Sequence, residues 1–351
     1  MNRAYHRNYK YFWSLLPGLC VVSGNLAGGW WVLTNFVFSI GILAFIEWFF
    51  PEDKHNETDD SDFIPDSILI LHVFMQVIAF VTLYISIHEN RMAGWQYFGA
   101  ALSVGVHSGT SSIVIAHEMI HRKNTMWQWL GKFLLFTAGN VYFFVEHLKV
   151  HHKWVGTAKD PATARFGESL PAFYLRTTAG QIRDAWKLEK ESLKKENKSV
   201  WNMNNYVFSS VILQFIFCVV VFYFVGKYGL LVYLLQCIVA NFLLEYTNYI
   251  EHYGLSRNEN ERVNETISWQ TDKVISRFFL IDLSRHSDHH YYASKPFHEL
   301  QTYERSPVLP GGYASAIYMA LIPPIWFRVV NKRLKEYEKS LKDENILISH
   351  H

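Results

Sequence analysis

The chain has 351 residues, 50% of them hydrophobic and 17% aromatic but only 18% charged, a composition that points to a membrane protein. A net charge of +2 argues against a nucleic-acid partner. The three cysteines, Cys20, Cys218 and Cys237, all lie in apolar segments, which excludes a disulfide framework, a CxxC pair and an iron–sulfur centre.

Arg3, Arg7 and Lys10 precede the first apolar run and predict a cytoplasmic N-terminus. Apolar runs follow at about 11–31, 32–50, 64–87, 94–116, 206–226 and 230–249, none containing Lys or Arg. Each is close to the ~20 residues that cross ~30 Å of hydrocarbon. The first is too long and too poorly flanked for a cleavable signal. The expected fold is therefore all-α and integral to the membrane: six transmembrane helices with a cytoplasmic histidine-rich helical cap, in one domain over 1–351. On this topology nearly every Lys and Arg lies on one side, Arg91 and Lys227 excepted, as the positive-inside rule requires.

The apolar stretch 127–145 is read differently, as a buried, non-spanning helix. It carries Lys132 and the breakers Gly131, Gly139 and Asn140, and a crossing there would strand two histidine motifs on opposite faces. The turn at 226–229 makes the last two runs a hairpin. Residues 150–205 read as a solvated basic face, 313–329 as an amphipathic segment broken at Pro323 and Pro324, and the tail from Asn331 as a surface helix.

Nine histidines fall in four motifs near the ends of apolar segments: His117 and His121 in HEMIH, His147, His151 and His152 in EHLKVHH, His252 in NYIEHYGL, and His286, His289 and His290 in RHSDHH. Helical spacing of three or four residues aims at least two imidazoles of a cluster at a common point. Buried imidazoles are costly unless they bind something, so the nine are read as a dinuclear, all-nitrogen metal centre at a membrane surface. Imidazole serves zinc, copper, iron and nickel alike, and spacing does not choose among them. His72, His88, His107 and His298 are expected to be core residues, and His6, His55, His350 and His351 surface or tail residues. Glu118, Glu146, Glu251 and Asp288 adjoin the histidines in sequence. An adjacent helical residue points about 100° away, so these carboxylates are expected to orient imidazoles from behind, with direct ligation by one of them as the alternative.

HEMIHRK, EHLKVHH, NYIEHYGL and RHSDHH, in this order, resemble the histidine motifs of the integral-membrane alkane hydroxylases, the alkane 1-monooxygenases. The likeness covers nearly the whole chain and includes DPATARFGES, LPGGY and ALIPPIWFRVV. Val150, Ser284, Tyr291 and the segment between Trp269 and Leu283 depart from the usual family pattern without touching the histidines. The resemblance implies a non-haem centre of two iron ions bound by all nine histidines, which uses O2 to hydroxylate the terminal carbon of an alkane or related apolar chain. It also implies electrons from rubredoxin and rubredoxin reductase as separate chains, and an active site facing the cytoplasm from the inner (plasma) membrane.

A lipid-soluble substrate is expected to arrive between the spans. Ser39 and Gly41, small among Phe36, Phe38 and Phe45, are expected to leave room for it. Arg122, Lys123, Lys149 and Lys153 form a candidate docking face for an acidic electron carrier, although the same charges also serve to set topology. The competing readings are a fatty-acyl desaturase or hydroxylase, an alkyl-arene monooxygenase of the same motif class, and a histidine-based metal transporter.

Overall fold

The structure, a computed structural model, describes residues 8–56 and 62–349, without the side chains of 344–349. Arg3, His6, Arg7, His350 and His351 lie outside the described residues. The chain is an all-helical, multi-pass membrane protein. Among the described residues, extended pairing is limited to two isolated bridges, Glu52 with Lys273 and Gln270 with Val308.

A 3-10 turn, Tyr9–Leu15, runs into α1 (Leu16–Ala27), which stops at Gly28 with φ of 66°. The predicted first run therefore ends early, at a glycine pair, and the chain reverses into the helical segment Gly29–Ile46 (α2). After it come α3 (Phe63–His88) and α4 (Gln96–His121). With Tyr206–His252 these make four helical segments long and apolar enough to cross a membrane among the described residues.

Tyr206–His252 is not straight. Its backbone breaks at Gly226 (φ 85°, ψ −174°), a conformation essentially confined to glycine. The Gln214 amide donates to the Tyr233 hydroxyl, and the Phe217 and Tyr233 rings lie 5.0 Å apart. A continuous helix would hold Gln214 and Tyr233 about 28 Å apart, so the segment, α8, is a hairpin of two helices, residues 206–225 and 227–252. The reversals at Gly28, Arg91 and Gly226 gather at one end of the bundle, where Gly28 abuts the Arg91 carbonyl, Trp30 packs on Trp95 and Tyr97 stacks on Tyr228. His121 and His252 end their helices at the other.

α4 and residues 227–252 pack closely because Gly105 and Gly109, one turn apart, present no side chains. A Cβ on Gly105 would lie 2.6 Å from Val239, and one on Gly109 would lie 2.9 Å from Leu243. Small residues at this spacing are a common means of bringing membrane helices together.

α5 (Thr125–Thr137) is 13 residues long, and Gly139 (φ 71°) turns the chain before the helical run 143–154, α6. It is not enclosed as expected: Gly131, Leu134 and Leu135 are buried, but Trp129 and Phe133 are exposed. α7 (Leu170–Lys195) packs on the second arm of the hairpin, donating from Thr177 and Gln181 to buried Glu245.

The segment after His252 covers the end of the bundle. It includes α9 (Val274–Phe279) and α10 (His286–Tyr291), and buried arginines tie it down. Arg277 pairs with Asp282 at 2.7 Å, and Arg285 with Asp272 at 3.2 Å. The expected amphipathic segment 313–329 differs too. Tyr313, Ala316, Ile317 and Ala320 are buried, and Pro323 begins the last helix, α11 (Pro323–Ser349), instead of breaking one. Proline at the first helical position loses no hydrogen bond, because that N–H has no partner in the helix.

Candidate metal centre and its channel

The nine motif histidines converge in two groups. His117, His121, His147, His152 and His289 form one, His151, His252, His286 and His290 the other, and within each the ligand atoms lie within 4.8 Å of one another. The groups adjoin: the His152 and His290 rings are 4.6 Å apart, and the His147 and His151 rings 5.2 Å.

The partition follows from a local irregularity. His147–His151 is a π-helical turn, in which hydrogen bonds close on the fifth residue, not the fourth. His147 therefore shares a group with His152, five residues on, and His151 turns to the other group. Ordinary helical spacing predicts the reverse pairing. α10 divides its histidines similarly: His286 and His290, four apart, join the second group and His289 the first. His117 and His121 stay together on regular helix.

The electrostatics inside the first group call for a cation. Nε2 of His147 lies 3.0 Å from Nε2 of both His121 and His152, and Nε2 of His289 lies 3.2 Å from that of His152. A neutral ring has a single N–H to offer, so nitrogens that face one another with lone pairs repel unless positive charge sits among them. In the second group the orientations free nitrogens to point inward. His151 donates through Nδ1 to Asp160 at 2.9 Å, and Nδ1 of His252 faces the Ile267 carbonyl at 3.4 Å, leaving both Nε2 atoms buried and without partners. Among the described residues both nitrogens of His290 and Nδ1 of His286 lack a partner as well, while Nε2 of His286 faces the Glu251 carboxyl without a well-aligned hydrogen bond. Burial and neighbouring imidazoles hold His147, His152, His286, His289 and His290 well below the ordinary histidine range. Near neutral pH these rings are unprotonated, the form that ligates metal. The donor set fits two borderline transition-metal ions.

Of the four carboxylates expected behind the rings, one meets an imidazole. Glu251 places Oε2 at 3.2 Å from Nε2 of His286 and accepts a hydrogen bond of 2.9 Å from the Tyr313 hydroxyl. Glu118 turns away to Arg122 at 3.1 Å. Asp288 accepts from Lys295, Tyr303 and the Gln301 amide, each at 2.7 Å, and so braces the loop and not a ring. Glu146 is buried with Oε1 unpartnered. Burial, with the charges of Asp160 and Glu245, raises its carboxyl well above the usual range. Asp160 and Tyr313 are missing from the sequence reading. Asp160 stands nine residues from His151, a separation no helical rule connects, and the one signal was its place at the head of DPATARFGES.

An apolar cavity lies between the helices on the membrane side of the histidines. Ser39, Ile40 and Leu43 line it from α2, Thr110 from α4, Leu243 from the hairpin and Phe279 from α9. A second cavity shares Gly109, Val114, Thr247 and Leu283 with the first and reaches His117, His147 and His286. Together they trace a path, apolar until Asn248 and Glu251 at its inner end, that reaches histidines of both groups. Ser39 is in its wall. Gly41 is not: two residues along the helix it faces outward and is exposed.

The expected docking residues are unequal. Arg122 is held by Asp66 and Glu118, and Lys149 lies 3.7 Å from Glu189. Lys123 and Lys153 are exposed, close in sequence to His121 and His152, the only two motif histidines that are not fully buried. Among the remaining histidines, His72, His107 and His298 are buried. His72 hydrogen-bonds Ser14 and Ser111. His55 is exposed as expected, but His88, expected in the core, is also exposed at the end of α3.

The profile of the fatty acid desaturase family matches residues 93–319, which contain all four histidine motifs, and places the chain in that class. The chain is 30% identical over 356 residues to alkane 1-monooxygenase 2 of Alcanivorax borkumensis, covering 96% of this chain and 92% of that one. It is 32% identical to the alkane 1-monooxygenase of Ectopseudomonas oleovorans, over 92% and 84% of the two chains. It is 25% identical to XylM, the xylene/toluene monooxygenase hydroxylase component of Pseudomonas putida, over 94% and 90%. The chain belongs to the alkane hydroxylase family, and it is an oxidoreductase of the monooxygenase type.

Proposed function

We propose that the protein hydroxylates the terminal carbon of alkanes or related apolar chains at a centre of two non-haem iron ions, five histidines holding one and four the other. The observation that carries this reading is the largely apolar path that reaches both histidine groups. A path walled mainly by apolar side chains, with Asn248 and Glu251 entering only at its histidine end, suits a hydrocarbon, and that end brings a chain terminus to where both ions would lie.

Bound there, the iron pair supplies the oxidising chemistry, activating O2 with two electrons from outside. The protein orients and excludes. Asp160 fixes the tautomer of His151, and Tyr313 holds Glu251 against His286, so ring orientation is set before metal arrives. Val114, Leu283 and Thr247 keep water from the path, and the narrow wall at Ser39 and Leu43 aligns the chain end-on. Rubredoxin, reduced by its own reductase, is the proposed electron donor. The exposed lysines Lys123 and Lys153, beside His121 and His152, the two least buried of the nine rings, support docking on that face.

The topology is read as six crossings, α1 with its preceding turn, α2, α3, α4 and the two arms of the hairpin. The histidines then face the cytoplasm from the inner membrane, within one domain. The test is to supply alkanes of graded length, rubredoxin and reductase to the purified protein, with iron content measured alongside. Primary alcohols and about two irons per chain are expected. An oxidised product confined to acyl chains would favour the desaturase-type reading instead, and metal content dominated by zinc would reject the centre.

A further inference from the structure

A second groove runs down the outside of the bundle, away from the substrate path, between α5 and the first arm of the hairpin. At its upper end sits Lys132. Its Nζ lies 4.1 Å from the ring centre of Phe144, 4.7 Å from that of Trp129 and 5.3 Å from that of Tyr206. It has no carboxylate or hydrogen-bond acceptor as partner among the described residues. Below it the walls are Phe133, Leu213, Ile216 and Val220, all exposed. From Tyr206 to Val220 the helix rises about 21 Å, a furrow long enough for most of an acyl chain. The aromatic ring around the ammonium marks the level at which helices leave the hydrocarbon. α5 begins four residues after His121, so this level belongs to the histidine side.

We propose that this groove is a binding site for one anionic phospholipid of the leaflet on the histidine side, an acyl chain lying in the furrow and the phosphate on Lys132. An ammonium at membrane depth is costly unless paired, and three N–H donors without protein acceptors match a phosphodiester. The rings position the cation without neutralising it, so the charge is retained for the headgroup. The lysine stem lies along the apolar wall while its head reaches the interface. A neutral lipid would fill the furrow but leave the charge unanswered.

The experiment exchanges the full-length protein into vesicles of equal phosphatidylglycerol and phosphatidylcholine, re-extracts it in mild detergent and counts retained lipids by mass spectrometry. Wild type is expected to retain phosphatidylglycerol preferentially. Lys132→Gln should lower that preference about fivefold, the effect of one surface cation on an anionic lipid, and Lys132→Arg should keep it. Ile216→Trp, which fills the furrow and spares the charge, should lower total retained lipid. Equal retention of the two lipids by wild type overturns the proposal without any variant. So does an unchanged preference in Lys132→Gln, or complete displacement of phospholipid by added oleate, which would make the occupant a fatty acid.

Discussion

The buried Asp160 carboxylate accepts from His151 at 2.9 Å, from the Thr163 hydroxyl at 2.6 Å and from the Ala162 amide at 3.0 Å. Burial alone would raise its carboxyl, but His151 and Thr163 outweigh this and hold it below the ordinary range, so it stays a carboxylate and keeps the His151 Nδ1–H turned outward. Asp160→Asn should lower iron affinity about 10- to 100-fold, read as iron retained against a chelator, with the helical circular-dichroism signal unchanged. At the other end of the path, Ser39→Trp should shorten the longest alkane accepted, because an indole would fill the cavity between Ile40 and Leu43. An unchanged product profile across chain lengths would remove Ser39 from the wall. The four motifs and their nine histidines were legible residue by residue, since HEMIH and RHSDHH announce metal chemistry by type and spacing. Asp160 was not, because its contact depends on how the 155–163 loop folds back. Gly41 was misplaced because smallness shows room for a chain only once the facing side is known.

The element that presents α10 is strained. Ile281 and Asp282 both have positive φ, 44° and 54°, and for a β-branched residue such as Ile281 that conformation is a genuine outlier. It persists because Asp282 is locked by Arg277 and by the Tyr11 hydroxyl at 2.5 Å. Burial alone would raise the Asp282 carboxyl, but Arg277 outweighs this and keeps it below the ordinary carboxylate range. A depressed carboxylate contributes stability that is present above about pH 4, the unfolded value, and is lost as pH falls through the folded value. Asp282→Asn, which leaves Arg277 with a poorer partner in a buried site, should cost about 3 kcal/mol. It should also flatten the fall of the thermal midpoint on acidification, and an acid limb as steep as wild type would show that other carboxylates dominate. The hairpin at Gly226 could be foreseen from two glycines between apolar runs. The π turn at His147–His151 could not: a run of five residues reads as helix of either pitch, and packing decides which one forms.

Across the whole molecule, the apolar runs foretold an all-helical membrane bundle because hydrocarbon leaves few alternatives to helix. Their lengths did not foretell that the first stops at Gly28, or that Pro323 starts a helix. The chain threads the two histidine groups together. His151 and His152 are neighbours in α6 yet belong to different groups, and so do His289 and His290 in α10. Any movement of either segment disturbs both.

That interleaving ties the occupancies of the two sites to each other. Filling one set draws the shared segments into place and completes the other, so the two ions should enter and leave as a couple. Titrating stripped protein with ferrous iron under native mass spectrometry should give populations with none or two, and His121→Ala, which cuts one set alone, should empty both. A stable species with a single ion would mean that the neighbouring rings move independently.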